Sequence, residues 1–406
     1  MKERFRAIKH TWKLLILLAL VILAFCYAMF QGGFVSWFLF YSFLPFAAYS
    51  LAVAFYSVQD GIEVERQLPK QEFVAGEPLK VHTIMKRERA FPLFYLLAEE
   101  KLSDSLMNAV PMEKTKALLF PGFSKEVTFD YTIDELPRGE HTFHTIKLKT
   151  GDLLGLIEKE KGTDSENKIL VYPAYTEMLY RPFENHYDQG AAASRERVQR
   201  DTTMATGVRD YQPGDRFSWI NWKASAKRNE IMTKEFEQRQ SHDVLIVMDC
   251  SPERRFEAIV SFTASIARAI LKKGAQAGLL TVSKERASFP IRGGEAQLQQ
   301  IFYHLAKIQP ACTVTIDTVL EAETFYTGQN MTTLIVTSNL TRALIEKAGN
   351  LGHKKGMVTV FLIKNEKESP TNEELALKAM GIARGVRVIL VHENQFDSAF
   401  SEVSLR

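Results

Sequence analysis

The chain has few cysteines and almost no net charge, and both features exclude some classes of protein. Only Cys26, Cys250 and Cys312 occur among 406 residues, so neither a disulfide framework nor a cysteine-rich zinc site is expected. A formal net charge of +3 is too small to give the global positive field that draws proteins to nucleic acid. The thiols suit a reducing compartment, and a nucleic-acid partner is not expected.

Common catalytic motifs are also missing. The sequence contains no phosphate-binding Gly-x-x-x-x-Gly-Lys-Ser/Thr loop, no nucleophile elbow, no His-Glu-x-x-His and no Cys-x-x-Cys. His141 and His144 flank a predicted strand and are expected at the surface. Cys250 follows a predicted strand, but no histidine near it in the sequence would activate its thiol. No catalytic residue is assigned, and we expect a protein that is not an enzyme.

Two long hydrophobic runs dominate the N-terminus. Residues 14–30 and 34–58 carry no charge and are separated by Gln31-Gly32-Gly33. A helix needs roughly 20 apolar residues to cross about 30 Å of hydrocarbon. A cleaved signal peptide is the alternative, but a small-residue cleavage pattern is missing and a second run follows at once. We predict a transmembrane hairpin within residues 1–60, with spans at 14–30 and 34–58.

Flanking charge predicts the orientation of this hairpin. The segment before the first run has a clear basic excess, while the Gln-Gly-Gly turn has no charge. The basic residues are Lys2, Arg4, Arg6, Lys9 and Lys13. Because basic flanks stay on the cytoplasmic side, both termini are expected in the cytoplasm, with two spans in the membrane.

Residues 61–180 have the pattern of short strands separated by turns. Apolar and polar residues alternate in Val127–Ile133, which is typical of a strand with one buried face. The predicted strands are Ile62–Leu68, Leu79–Lys86, Phe94–Glu99, Lys125–Ile133, Thr142–Leu148 and Ile169–Tyr172. Their spacing favours an antiparallel β-sandwich domain.

Residues 241–406 alternate apolar strands with amphipathic helices. The predicted strands are Val244–Met248, Gly278–Val282, Thr333–Thr337, Val358–Ile363 and Val386–Val391. The predicted helices are Phe256–Lys273, Ala296–Ile308, Arg342–Leu351 and Asn372–Ala383. This alternation indicates a parallel, doubly wound α/β sheet, whose ligand crevice lies at the carboxyl ends of the strands. Between the two domains, residues 181–240 form a charged segment with a weak hydrophobic period.

The first α/β strand ends in Asp249-Cys250-Ser251-Pro252-Glu253. This spacing resembles the metal-ion-dependent adhesion site of von Willebrand factor A-type domains, with a Glu where the second Ser is usual. The resemblance implies a later Thr, which Thr313 or Thr315 supplies, and an Asp where this chain has Asn339. Oxygen ligands of this kind suit Mg²⁺. Two interpretations remain open: a cluster that binds no metal tightly, or a degenerate magnesium site made of Asp249, Ser251, Glu253 and Asn339.

The run from residue 207 to residue 228 mixes glycine, tryptophan and charges of both signs, with no helix or strand period. Basic residues such as Arg209, Lys223 and Lys227 suit phosphate or acidic partner groups. Alternatively, Asp210, Asp215 and the basic groups pair internally, while the two tryptophans, Trp219 and Trp222, pack against the α/β domain.

The same run resembles the bacterial family called domain of unknown function 58. The shared pattern is Gly-x-Arg-x-Tyr-x-x-Gly-Asp, followed by Ile-x-Trp-Lys-x-Ser-Ala. The candidate partner-binding positions are Gly207, Arg209, Tyr211, Gly214, Asp215, Ile220, Trp222, Lys223, Ser225 and Lys227, the last standing where Arg is usual. The match extends loosely to Arg138-Gly139 and to residues 151–156. The resemblance implies a von Willebrand A-like domain, two N-terminal spans and a MoxR-type AAA+ ATPase as partner, but no established reaction.

Together these observations predict a membrane-anchored interaction or assembly protein that faces the cytoplasm. The expected partners are the lipid bilayer and a MoxR-type AAA+ ATPase or another envelope protein, in a process related to the cell envelope. Two alternatives remain: a hydrolase of envelope precursors that uses residues 207–228, and a purely structural scaffold. Mg²⁺ is the only cofactor that the pattern suggests.

Overall fold

A computed structural model describes most of the chain. The described residues are 2–55, 61–108, 110–111, 113–181, 199–212, 215–239, 243–283, 286–312, 315–321, 331–393 and 395–400. The chain divides into two compact units, Met1–Ala174 and Tyr175–Arg406.

The first unit begins with two long helices, α1 (Lys2–Gln31) and α2 (Phe34–Phe55). Two glycines with positive φ, Gly32 and Gly33, lie between the helices, a conformation that glycine adopts without steric cost. The ring of Phe25 packs edge-on against Trp37 and Phe40 of the second helix. By length and composition, both helices could cross a membrane. The first helix begins well before the predicted span and the second ends at residue 55; residues 56–58 of the predicted span lie outside the described part.

In the described part of the first unit, eight strands and one short helix follow the two long helices. They are β1 (Ile62–Gln67), β2 (Glu72–Val74), β3 (Leu79–Arg87), β4 (Leu96–Leu102), α3 (Asp104–Met107), β5 (Lys116–Leu119), β6 (Glu126–Ile133), β7 (Gly139–Gly151) and β8 (Glu158–Tyr172). One sheet has the order β1-β3-β6, and the other has the order β2-β8-β7-β4-β5. The sequence did not predict β2 or β5, and it placed only the middle of β7 and the end of β8.

Both sheets contribute to one hydrophobic core. Leu79 and Phe129 from the first sheet and Leu96, Phe143 and Ile146 from the second belong to the same buried cluster. The alternation predicted for Val127–Ile133 is present in β6, where Phe129, Tyr131 and Ile133 are buried. Burial of these alternating faces is what holds the sheets together.

A charged pair lies inside this core. The side chains of Arg66 on β1 and Glu100 on β4 are fully buried and form an ion pair. The Arg66 guanidinium also donates a hydrogen bond to Asn167 Oδ1 at 2.7 Å, and it lies 5.1 Å from the ring centroid of Phe143. Burial raises the pKa of Glu100, and the Arg66 charge opposes that rise. Since each charge depends on the other for compensation, loss of one leaves the other buried and unpaired.

The end of α2 is attached to the strands of the same unit. Ser50 Oγ donates to Asp152 Oδ2 at 2.6 Å, and Asp152 Oδ1 accepts from the Ile157 amide at 2.8 Å. The Tyr49 hydroxyl donates to the Pro92 carbonyl at 3.1 Å. Lys159 Nζ donates to the Ala54 carbonyl at 2.7 Å, where a positive charge complements the helix dipole. Side chains or carbonyls in the last two turns of α2 therefore make direct polar contacts with the strand domain.

The first helices and strands described in the second unit are an antiparallel ribbon and a short helix. These are β9 (Gln199–Asp210), α4 (Trp222–Arg228) and β10 (Met232–Arg239), with β9 paired to β10. A 3₁₀ turn at Phe217–Trp219 precedes α4. The expectation of a segment without strands or helices was therefore wrong for these residues. Their strand pattern is weak because polar and charged residues outnumber apolar ones in β9 and β10.

A six-stranded sheet with helices follows the ribbon. Its elements are β11 (Asp243–Met248), α5 (Phe256–Lys272), β12 (Gln276–Val282), β13 (Arg286–Arg292), α6 (Glu295–Lys307), α7 (Ile316–Glu321), β14 (Thr332–Thr337), α8 (Arg342–Lys355), β15 (Val358–Lys364), α9 (Asn372–Ala383) and β16 (Val386–His392). The order is β13-β12-β11-β14-β15-β16. A final 3₁₀ turn covers Phe396–Phe400.

The sheet is parallel except at one edge. β13 pairs antiparallel with β12, so the prediction of an all-parallel sheet was wrong at this strand. Pro290 lies within β13, and proline is tolerated on an edge strand because it lacks an amide to donate. The predicted strands and helices of this unit are otherwise present, with ends shifted by a few residues. The parallel strands β11, β14 and β15 are neighbours, so their carboxyl ends share one edge.

We expect replacement of Glu100 by glutamine to lower the free energy of unfolding of the first unit by about 3–5 kcal/mol, because it leaves Arg66 buried without a counter-charge. The matched control is Glu99→Gln on the same strand, whose half-exposed pair with Lys116 contributes less than about 1 kcal/mol. Urea-dependent hydrogen exchange of β1 and β4 in the detergent-solubilised protein measures both. Equal losses in the two variants would contradict the assignment of the buried pair.

Candidate functional site

The predicted polar cluster lies at the carboxyl ends of β11 and β14. Asp249 Oδ2 accepts a hydrogen bond from Thr337 Oγ1 at 2.7 Å. Asp249 Oδ1 accepts from the Ser251 amide at 3.0 Å and from the Ser251 hydroxyl at 2.7 Å. The Asp249 residue is only 6% exposed. Two adjacent strand ends therefore bring one buried carboxylate and two hydroxyls together.

Glu253 and Asn339 join this cluster in different ways. The Ser338 hydroxyl donates to a carboxylate oxygen of Glu253. Asn339 contributes its backbone: its amide donates to Thr337 Oγ1 at 3.0 Å, and its carbonyl lies 3.1 Å from the same hydroxyl oxygen. Thr337 and Ser338 were not among the predicted site residues. Their signal was the Thr-Ser-Asn sequence at the end of an apolar strand.

These contacts bear on whether the cluster suits a metal ion. Both oxygens of the Asp249 carboxylate already accept hydrogen bonds, and Glu253 is engaged by a serine hydroxyl. Thr315, one of the two expected threonines, hydrogen-bonds to Thr318 at the start of α7, and Thr313 lies outside the described residues. Within the described ranges, no group of three or more His, Cys, Asp or Glu side chains is arranged to hold a metal ion. The arrangement does not fit a tightly bound divalent ion, and the magnesium site stays a prediction.

A second charged cluster lies at the end of the neighbouring strand, β15. Lys364 is 2% exposed, and its Nζ lies 2.6 Å from a Glu374 oxygen and 2.9 Å from a Glu368 oxygen. The guanidinium of Arg255 donates to the Ile363 carbonyl at 3.1 Å and lies 3.7 Å from Glu368. Sequence reasoning missed this cluster because its members come from three separate stretches of chain. The signal was a lysine at the end of a strand that has no other charge.

The mutual charges shift the titration of this cluster. Burial disfavours the charged amine of Lys364, but hydrogen bonds to Glu374 and Glu368 outweigh it and raise the Lys364 pKa. Burial also opposes ionisation of Glu374, yet contacts with Lys364 and the Thr371 amide lower the Glu374 pKa overall. The Lys364 hydrogen bond is the largest cause of the lowered pKa of Glu368. All three groups are therefore held in their charged forms at neutral pH.

The family segment also forms internal contacts. Arg209 Nη2 lies 2.7 Å from Asp215 Oδ1, and the other Asp215 oxygen accepts from the Gln212 amide at 3.0 Å. The Tyr211 amide donates to the Ile231 carbonyl at 2.9 Å. These contacts agree with the alternative in which Asp215 pairs internally. Gly207 lies within β9 opposite Glu235, and Gly214 lies outside the described residues.

Other motif residues shape α4. The Asn221 side chain caps the helix by accepting from the Ala224 amide at 3.2 Å, as expected for an N-cap asparagine. Ser225 Oγ donates to the Asn221 carbonyl at 2.9 Å and accepts from the Met232 amide at 2.8 Å. Ile220 is buried and bridges to Thr233. Ile220, Asn221 and Ser225 therefore have structural roles in joining α4 to β10.

Large apolar side chains on this segment face solvent. Phe217 is 77% exposed and Trp222 is 68% exposed, and Ile231 is also exposed. The exposed side chains of Lys223 and Lys227 lie on the same short helix as Trp222. The interpretation that Trp222 packs against the α/β domain was therefore wrong. We call these five residues the α4 surface.

A serine and a histidine come close in the first unit. Ser105 Oγ lies 2.9 Å from His141 Nδ1, and His141 Nε2 lies 2.7 Å from the Pro137 carbonyl. His141 is 1% exposed, so the expectation of a surface histidine was wrong, while His144 is exposed as expected. Burial lowers the His141 pKa, which keeps the ring neutral with one nitrogen donating and one accepting. This geometry ties α3 to the start of β7.

We expect acid to open α9 through the Lys364 cluster. The lowered pKa values of Glu368 and Glu374 mean that their contribution to stability is complete above the ordinary glutamate pKa and is lost as pH falls through the folded values. Lys364→Met removes the main cause of the lowering, so amides at the start of α9 should be less protected near pH 6 than in wild type and should lose less protection as the pH falls to 3. Hydrogen exchange across pH 3–6 measures this; the control is Lys367→Met at an exposed position. Identical acid profiles for all three proteins would contradict the coupling.

The described elements define an α/β body with several sheets, preceded by two apolar helices. The model of the family described as protein of unknown function DUF58 matches residues 207–401. The uncharacterized protein YeaD of Bacillus subtilis (strain 168) is 37% identical over 390 residues, which is 96% of this chain and 97% of that protein. The chain therefore belongs to the DUF58 family, which confirms the resemblance seen in its motif.

Solved structures show only weak similarity. The CARDB domain of a Pyrococcus furiosus protein, in complex with di-metal ions, has a TM-score of 0.20 and 11% identity, over 27% of this chain and 91% of that one. Proximal thread matrix protein 1 from the mussel byssus has a TM-score of 0.29 and 15% identity, over 40% of this chain and 47% of that one. These scores are too low to carry an argument about this protein.

Proposed function

We propose that this protein is a membrane-anchored interaction protein that binds an acidic partner through the α4 surface. The observation that carries the proposal is the exposure of Phe217 and Trp222, with Lys223 and Lys227 on the same helix as Trp222 and with that helix hydrogen-bonded to β10. Exposed apolar patches mark interaction sites, and Trp is prominent among residues that dominate binding energy. The lysines favour a partner with negative charge around an apolar pocket.

The anchor is the second part of the proposal. We propose that α1 and α2 form a transmembrane hairpin with both termini in the cytoplasm, and that a β-sandwich and a von Willebrand A-like domain follow. Supporting observations are the length and apolar character of both helices and the basic residues before the first. The partner must then be reachable at the inner face of the membrane. A MoxR-type AAA+ ATPase, or another protein of a cell-envelope process, is the partner that the family resemblance suggests.

The edge near Asp249 is a second candidate contact. Asn339 is exposed there, whereas Asp249 is engaged in internal hydrogen bonds. Binding at this edge would use hydrogen bonds or a loosely held Mg²⁺. Calorimetric titration of the full protein with Mg²⁺ tests the predicted magnesium site directly: heat that Asp249→Ala abolishes would support the site, and its absence would remove the metal from the proposal.

The geometry supports interaction better than hydrolysis. A hydrolase that uses residues 207–228 needs a nucleophile beside a base. In the described part of that segment, the Ser225 hydroxyl is engaged with the Asn221 carbonyl and the Met232 amide, and Arg209 is paired with Asp215. These groups hold the segment together, and a scaffold without any partner would not need the exposed aromatics.

Co-purification from native membranes tests the partner. We expect Trp222→Ala to reduce retention of the partner strongly, because truncation of a hot-spot tryptophan costs about 2 kcal/mol or more. Lys223→Glu combined with Lys227→Glu should reduce it as well, with a larger effect at low salt. The control is Tyr303→Ala, at another exposed aromatic residue, on α6. Failure of wild type to retain any ATPase or envelope protein, or equal retention by Trp222→Ala, would overturn the proposal.

Reporter fusions test the anchor. A reporter that is active only in the cytoplasm should work at either terminus, and the full protein should resist extraction from membranes by alkaline carbonate. Reversal of the basic residues before residue 14 to glutamate should disturb the orientation, since these charges determine it. An active external reporter at the C-terminus of the unaltered protein would contradict the orientation and the cytoplasmic partner together.

A further inference from the structure

The position along α2 at which the strand domain makes contact suggests a second contact with the membrane. α2 has 22 residues and is therefore about 33 Å long, close to the roughly 30 Å of a hydrocarbon core. Tyr49 lies six residues before the end of α2. The last ~9 Å of the candidate span thus lies beyond Tyr49, on the side of the strand domain. Any loop that touches Tyr49 lies close to the membrane interface.

Three loops of the strand domain contact the end of α2 or a loop that does so. The ring of Phe94 packs edge-on against Tyr49 at 4.6 Å, and the Phe94 amide donates to the Tyr49 hydroxyl at 3.2 Å. The loop of residues 120–123 is joined to the Phe94 loop by a bridge between Leu93 and Gly122, with hydrogen bonds of 3.1 and 2.9 Å. A third loop, residues 152–156, is held to α2 by the Ser50–Asp152 hydrogen bond.

The side chains that these three loops present to solvent are apolar. Phe120 is 75% exposed and Phe123 is 72% exposed, on either side of the Pro121-Gly122 turn. The other exposed members of the set are Phe94, Leu153 and Leu154. We call these five residues the loop platform. Soluble proteins rarely expose so many large apolar side chains together without a partner.

The platform is held in a defined shape. Arg87 is 3% exposed, and its guanidinium donates to the Phe91 carbonyl at 2.9 Å and to the Gly122 carbonyl at 3.2 Å. One buried cation therefore links the Phe94 loop to the 120–123 loop. Asp152 fixes the third loop by accepting from the Ile157 amide. The exposed rings are consequently presented from ordered loops.

We propose that the loop platform inserts into the interfacial region of the lipid bilayer, beside the end of α2. The inference rests on the proposed membrane anchoring. A lipid occupant is favoured because the platform is continuous with the candidate span through Tyr49 and Ser50, at a depth about 9 Å before the end of that span. Phenylalanine and leucine side chains are typical of surfaces that lie in the acyl boundary. The strand domain would then contact both the transmembrane helix α2 and the lipid.

The test uses the full-length protein in lipid vesicles, with Cys26→Ser, Cys250→Ala and Cys312→Ser as the background. Single cysteines replace Phe120 or Phe123 and carry an environment-sensitive fluorophore, which is quenched by nitroxide on shallow acyl positions of the lipid. The matched soluble control is Glu135→Cys, an exposed site near Gly139 at the opposite end of β7, about 40 Å along the strand from Gly151. Tyr41→Cys on α2 reports the span itself.

We expect blue-shifted emission and several-fold stronger quenching at positions 120 and 123 than at 135. Quenching at Tyr41→Cys with none at 120 and 123 above the control would overturn the platform and leave the anchoring intact. No quenching at any position would overturn both. Emission that depends on protein density, with no lipid quenching, would identify a second copy as the occupant and would also overturn the proposal.

A second variant guards against misfolding by the labels. Phe120→Asp combined with Phe123→Asp adds charge to the platform without altering Arg87 or the Leu93–Gly122 bridge. We expect this protein to stay in carbonate-washed membranes while a fluorophore on Leu153→Cys loses its lipid quenching. Unchanged quenching at position 153 would count against a platform that inserts as one surface.

Discussion

The buried carboxylate of Asp152 is the contact on which the organisation of the first unit depends. One of its oxygens accepts from Ser50 at the end of α2, and the other accepts from the Ile157 amide in the strand domain. A carboxylate at 2% exposure is stable only when its hydrogen bonds are satisfied, so helix and loop are bound to each other. The contact between the end of α2 and the strand domain therefore rests on buried hydrogen bonds.

Ion pairs and hydrogen bonds within small clusters have a similar effect in the second unit. Lys364 with two glutamates, Asp249 with two hydroxyls, and Arg209 with Asp215 each satisfy their own polar groups. Such clusters stabilise the strand ends and the ribbon, but their charged groups are already paired or hydrogen-bonded internally. Exposed aromatic side chains such as Trp222 therefore become the stronger candidates for partner binding.

Particular elements show which features a local sequence pattern can predict. The predicted bounds of α9, Asn372–Ala383, are the observed ones, and in the structure Thr371 and Glu374 form a capping box within four consecutive residues at its start. β13 was missed because an edge strand with a proline has neither the apolar run nor the alternation of its neighbours. Trp222 was misplaced because burial of a tryptophan depends on what lies opposite it, which the sequence of α4 does not specify. The Lys364 cluster was missed because its partners are distant in sequence.

The sequence by itself determined the two apolar helices, the alternation of strands and helices in the second unit and the family motif, because each is set by periodicity or by short-range spacing. Tertiary structure alone decided which polar groups are engaged, which aromatics face solvent and where α2 meets the strand domain. Those features depend on pairs such as Ser50 and Asp152, which are distant along the chain, so that no local sequence pattern predicts their contact. Hydrogen bonds and burial between distant segments are properties of the folded arrangement.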